Sequence, residues 1–336
     1  MIIHTCTKEE IPQLIEFLRH HWNAKHVLVN HPELLLWQYK NSDGGLDFIL
    51  AKDEKDDTIL AILGFIPLDH FDSNLALYRE TWGAIWKVSP DCKIPGLGTY
   101  LQKKICEQYD FYAGLGLSMD SIHIQRSLST DILSINQYFI LNPNIKKHHI
   151  ASIPDNFIPN PIYENCNFEI QKLSDISHIE LEHAYAPKKS ITFLKNRYQD
   201  HPWYHYKFLG CFIENKIQCI LIYRKITIES YSVIRIIDIY GNLEKLFGLG
   251  QKLQKYFFTH FDIEYIDICN YGIRKEYFIE NGFNLLDSNS TKIIIPNYFE
   301  PFEKRNIALK GVIYSKKEKN YTFFKGDADQ DRPNIL

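Results

Sequence analysis

The chain has 336 residues, enough for about two domains, and its 45% hydrophobic and 24% charged content suits ordinary buried cores. Its formal net charge of -3 excludes a globally basic surface for polyanions. None of its seven cysteines forms a Cys-x-x-Cys pair, which argues against a zinc knuckle or a redox couple.

With no secretory leader and no long apolar run, the expectation is a cytoplasmic protein with reduced thiols. The histidines are dispersed, and the pairs His20-His21 and His148-His149 lack a carboxylate at ligand spacing, so no metal is expected.

Ile2–Thr5 reads as a short strand. Thr7 and Glu10 fit a capping box, and Ile11, Leu14, Ile15 and Leu18 give the following helix one apolar face. Pro32–Tyr39 reads as a second helix. Phe48–Ala51 and Thr58–Ile66 read as an antiparallel pair joined by a charged turn, and Leu77–Val88 as the next strand.

After Val88 comes Lys93-Ile94-Pro95-Gly96-Leu97-Gly98, and then Leu97, Leu101 and Ile105 recur as one helical stripe. Glycines at a strand-to-helix junction let the backbone approach a ligand closely. The first helical N–H groups, Thr99 among them, have no intrahelical acceptor and suit phosphate oxygens. Lys93 adds a positive charge. Asp110–Leu117 reads as a strand, Ser118–Leu128 as a helix, and the proline-punctuated residues 141–165 as a linker.

This order of parts resembles motif A of the GNAT acyl-CoA transferases. The resemblance implies an α/β (α+β) fold, with a mixed, mostly antiparallel sheet flanked by helices. It implies that Val88, Lys93, Ile94, Gly96, Leu97, Gly98 and Thr99 hold acetyl-CoA, with Lys93 in place of the family's usual Gln or Arg. Val88 is the candidate backbone donor to the thioester carbonyl. The family often has a tyrosine acid in the next helix, where this chain has Gln125. Tyr112 and His123 are the possible substitutes. Glu80 is the candidate general base; paired with a cation, it would be an ordinary strand-end glutamate. His26 and Trp37, from the segments that roof the acceptor site in this family, and Trp82 are candidate substrate contacts, though tryptophans are as readily core.

The second half repeats the pattern. Phe168–Leu173 reads as a strand, Ser174–Tyr185 as a helix, Pro187–Ser190 as the lead into a helix ending near Tyr198, Lys207–Ile213 and Gln218–Arg224 as a hairpin, and Val233–Tyr240 as a strand. Lys245-Leu246-Phe247-Gly248-Leu249-Gly250 then repeats the first loop, and Tyr271–Phe283 reads as a helix. An internal duplication is the economical reading. The second loop lies inside an apolar helical pattern, so that domain is expected to keep the fold without the CoA site. Asp238, buried in an apolar strand, needs a partner, for which Arg235 is the candidate, or else serves a site. Asp327, Asp329 and Asp331 alternate as in a calcium loop but lack its glycine and distal glutamate.

The expected domains are 1–145, a linker at 146–165, 166–305, and a C-terminal extension at 306–336. The chain resembles tandem-GNAT proteins of bacterial surface-polysaccharide loci. That implies transfer of acetyl to a nucleotide-linked amino sugar, with neither nucleic acid nor membrane as partner. Two alternatives stay open: a Fem-type aminoacyl-tRNA-dependent transferase, and a non-catalytic GNAT-fold binding protein.

Overall fold

A computed structural model describes residues 1–128, 130–162, 164–259, 262–317 and 319–334. The chain divides into two compact units. Unit 1 is Met1–Ile132, Gly311–Glu318 and Arg332–Leu336, and unit 2 is Leu133–Lys310 and Lys319–Asp331. The expected boundary at residue 145 therefore moves back to Ile132, and the residues expected as a C-terminal extension are shared between the units.

In unit 1, β1 (Ile2–Thr5), β2 (Phe48–Lys52), β3 (Ile59–Pro67), β4 (Glu80–Val88) and β5 (Phe111–Leu115) lie side by side in that order. Only β4 and β5 run parallel. Gly311–Ser315 then adds to the free edge of β5, antiparallel to it. The helices are α1 (Ile11–His21), α2 (Val27–Asn30), α3 (Pro32–Tyr39), α4 (Leu97–Gln108) and α5 (Met119–Ser127). The Thr7–Glu10 capping box forms. The strand expected from Leu77 starts at Glu80, because Ser73–Tyr78 winds into a 3-10 turn and Arg79 takes φ 53°. Leu97, Leu101 and Ile105 of α4 pack on Ile49, Ala51, Leu63, Phe65 and Tyr112 to form the core on one sheet face.

In unit 2 the strand order is β6 (Leu133–Leu141), β11 (Ile263–Tyr271), β10 (Tyr231–Gly241), β9 (Lys216–Ile228), β8 (Lys207–Ile213) and β7 (Glu169–Leu173). The short β12 (Asn284–Leu285) pairs β6. The strand that adds to β5 of unit 1 is β13 (Leu309–Ser315), and β14 (Phe323–Phe324) pairs β11. Again one central pair, β10 with β11, is parallel. The helices are α6 (Ile191–Leu194), α7 (Leu249–Phe257) and α8 (Lys275–Glu280).

Two helical expectations fail or shrink here. Ser174–Tyr185 forms no helix, because the chain is drawn along the sheet end: Ala184 N–H donates to the Gly241 carbonyl at 3.2 Å and Tyr240 O–H to the Leu181 carbonyl at 2.9 Å. The helix expected after Pro187–Ser190 does form, starting at Ile191, where Ser190 caps α6 through the Phe193 N–H. The helix expected from Tyr271 starts at Lys275, after Gly272 turns with φ 102°. Among the described residues no helix is long and apolar enough to cross a membrane, and no group of three His, Cys, Asp or Glu could hold a metal.

Candidate active site

The site in unit 1 begins with a parting of strands. β4 pairs β5 only from Glu80–Phe111 to Gly83–Gly114. Beyond that point the register between β3 and β4 slips, so that Ala84 and Ile85 stand against Gly64, and β4 bends away. Ser89 N–H donates to the Leu60 carbonyl at 2.8 Å. By antiparallel alternation the N–H groups of Val88 and Trp86 then point away from β3, toward the gap beside β5.

The Lys93–Gly98 loop closes the end of this gap. Gly96 caps α4 with φ 73°, which a side-chain-bearing residue adopts only under strain, and a Cβ there would meet nothing within 4 Å. Among the described residues no side chain caps this helix end. The N–H groups of Leu97, Gly98 and Thr99 therefore open an undisturbed positive helix terminus, with the exposed Lys93 beside it. Gly98 is needed for a different reason: a Cβ would lie 2.8 Å from Trp86 Nε1 and 3.0 Å from Val88 Cγ2. Met1, Ile3, Ile94, Pro95, Leu97 and Tyr100 line a cavity of about 420 Å³ next to Gly96.

The corresponding loop of unit 2 is closed twice over. Asn281 Oδ1 accepts the N–H of Gly248 at 2.8 Å and of Leu249 at 2.9 Å, and the Asn281 carbonyl accepts that of Gly250 at 3.1 Å. A Cβ on Gly248 would also clash with Asn165 and Cys166, so protein occupies the space that is open at Gly96. The gap between β10 and β11 is filled as well. β14 pairs Phe324 with Asn270 and Phe323 with Tyr271 on β11, and Gly326 N–H reaches across to the Ile237 carbonyl of β10 at 2.8 Å.

The three candidate catalytic side chains do not converge. Glu80 is buried at the start of β4 and neighbours Phe111 in register, whereas Tyr112 neighbours Thr81. Alternation therefore puts Glu80 and Tyr112 on opposite faces of the sheet. Tyr112 lies in the core under α4 with its hydroxyl against Gly83, and burial pushes its phenol far above the ordinary range. His123 is on the exposed face of α5.

Of the expected substrate contacts, Trp82 is core, edge-on to Phe111 at 5.6 Å. Trp37 is half-buried, packs on Phe71 at 5.3 Å and gives its carbonyl to His70 Nε2 at 2.8 Å. His26 is a structural anchor. Its Nδ1 accepts from Leu28 N–H at 3.2 Å and its Nε2 lies 2.7 Å from an Arg332 guanidinium nitrogen, which ties α2 to the C-terminal residues.

Asp238 is satisfied internally, and by a partner other than the expected Arg235. Lys189 Nζ donates to both of its oxygens at 2.7 Å, Tyr198 O–H donates at 2.6 Å, and Ile239 N–H at 2.7 Å. Arg235 instead pairs Asp267 at 2.7 Å. A register slip between Ile236 and Asp238 turns Asp238 to the Arg235 face, where Lys189 also reaches Asp327 at 2.8 Å. Asp331 pairs Arg224 at 3.0 Å.

Sequence reasoning missed a polar chain in unit 1. Tyr314 O–H of β13 donates to Gln125 Oε1 at 2.8 Å, and Gln125 Nε2 donates to Gln102 Oε1 at 2.8 Å. Thr130 Oγ1 also lies 2.8 Å from the Tyr314 hydroxyl. Tyr314 stands directly opposite Tyr112 in the ladder, a pairing with no local signature.

A scan against protein-family models and a search of curated proteins returned no match. Solved structures do match. A GCN5-related N-acetyltransferase from Anabaena variabilis superposes with TM-score 0.54 at 10% identity, over 93% of this chain and 72% of that one. A conserved protein of unknown function from Enterococcus faecalis, described as a probable N-acyltransferase, gives TM-score 0.54 at 10% identity, over 92% of this chain and 71% of that one. The strand parting, the glycine-capped helix and these superpositions agree: the chain has the fold of the GCN5-related N-acetyltransferases.

Proposed function

We propose that this protein is an N-acetyltransferase that takes acetyl from acetyl-CoA in unit 1 and delivers it to the amine of a nucleotide-linked amino sugar destined for a surface polysaccharide. The observation that carries the reading is the contrast between the two loops. The start of α4 has open space at Gly96 and no side-chain cap among the described residues, while the N–H groups at the start of α7 are consumed by Asn281. Leu97, Gly98 and Thr99 N–H bind the pyrophosphate, with Lys93 adding charge. The pantetheine arm lies between the parted β4 and β5, and the thioester carbonyl takes a backbone N–H from Val88 or Trp86 as charge develops on it. Glu80 accepts the amine proton, directly or through water.

The test is calorimetric titration with acetyl-CoA of the wild type, Gly98→Glu and Lys93→Glu. One site per chain is expected. It should be lost in Gly98→Glu and weakened roughly tenfold in Lys93→Glu, whose exposed side chain disturbs no packing. Amino-sugar nucleotides would then be screened for acetyl-CoA-dependent thiol release. No binding at millimolar acetyl-CoA would overturn the reading.

A further inference from the structure

Gln102 is buried on α4, and its two polar atoms differ in fate. Oε1 accepts from Gln125, whereas Nε2 has no hydrogen-bond partner among the described residues. A buried amide N–H left unpaired costs about 1–3 kcal/mol. Trp86 Nε1 is unpaired and buried in the same way. Gly98, whose Cβ would touch Trp86 Nε1, lies one helical turn before Gln102, so the stripe Gly98–Gln102 leads away from the loop along the parted strands.

The chain behind Gln102 is directional. Tyr314 O–H donates to Gln125, Gln125 N–H donates to Gln102, and the last N–H is left buried and unpaired among the described residues. Aligned donors in a dry site polarise one another and strengthen the terminal one. An amide keeps its proton, so such a group stabilises an anion without acting as an acid.

We propose that Gln102 is a catalytic residue whose Nε2–H donates to the sulfur of the departing CoA, with Gln125 and Tyr314 as positioning residues. This rests on the acyl-CoA reading above. The amine nitrogen forms the C–N bond, the C–S bond breaks, and its electron pair stays on sulfur as thiolate. The amine proton goes to the base. No proton leaves Gln102. This arrangement supplies what a tyrosine at the Gln125 position would otherwise provide.

The experiment is spectroscopic titration of the CoA thiolate, bound to the wild type, Gln102→Leu and Tyr314→Phe, from pH 6 to 10. A free thiol titrates near about 8.5. CoA bound to the wild type should titrate about one pH unit lower. Gln102→Leu should abolish that difference, and Tyr314→Phe, which removes the first donor of the chain, should reduce it. CoA that binds but titrates alike in all three proteins overturns this inference and leaves the acyl-CoA reading standing. Absence of CoA binding by the wild type overturns both. Should Gln102→Leu fail to fold, the Tyr314→Phe comparison decides.

Discussion

The backbone N–H of Gly326 donates to the Ile237 carbonyl at 2.8 Å, and this bond lays the chain after β14 into the gap between β10 and β11. Two independent features therefore fill the place in unit 2 that corresponds to the loop and gap of unit 1: the chain itself in the gap, and Asn281 on the helix terminus. Asn281→Ala removes only one. The expected outcome is an unchanged single acetyl-CoA site per chain by calorimetry, with unit 2 destabilised by roughly 1–3 kcal/mol in urea unfolding. A second site in this variant would show that the gap opens in solution.

The parts of this site that depend on near neighbours in sequence were legible. Lys93–Gly98, the strand before it and the stripe Leu97–Leu101–Ile105 are one local pattern, and the structure builds them as β4, loop and α4. The parts set by pairing across the chain were not. Nothing near Tyr314 says that it will stand opposite Tyr112, or that Phe323 and Phe324 will sit on β11. The opposite facing of Glu80 and Tyr112 follows from a parallel register that no spacing encodes. The slip that turns Asp238 toward Lys189 is likewise a property of the β9–β10 ladder.

Lys189 is buried between Asp238 and Asp327, and these two carboxylates hold its ammonium charged against the cost of burial. Removing the cation leaves two carboxylates facing each other in a dry site. Lys189→Met should cost roughly 3–5 kcal/mol. Asp238→Asn in the same chain should recover part of that, because one uncompensated charge disappears. Urea unfolding of the two variants provides the check, and equal stability would refute the charge argument.

Asp47 gives the fold of unit 1 a pH dependence. Burial first, and then the nearby Asp69, pushes its carboxyl up to about 7. The folded state therefore holds the proton more tightly than the unfolded chain, where an aspartate titrates near about 3.9. The stabilisation is full below that lower value and is lost as pH rises toward 7. Asp47→Asn, which cannot ionise, should leave stability at pH 4 nearly unchanged. At pH 8 it should raise stability by on the order of 2 kcal/mol. Thermal melts of both proteins across that range would show the gap, and parallel curves would contradict it.

Glu80, the proposed proton acceptor, stands on a different face of the sheet from the proposed sulfur donor. It lies on the sheet face away from α4, while the Gln102 chain lies beside α4, so the two groups address opposite ends of the reaction. Glu80→Gln keeps the shape of the side chain and removes the base. Once an acceptor is found, kcat should fall about 10²–10⁴-fold, with acetyl-CoA affinity by calorimetry unchanged. The loss should shrink as pH rises and more of the amine arrives already neutral. Undiminished kcat across pH would return Glu80 to a structural part at the foot of β4 and leave the proton to solvent.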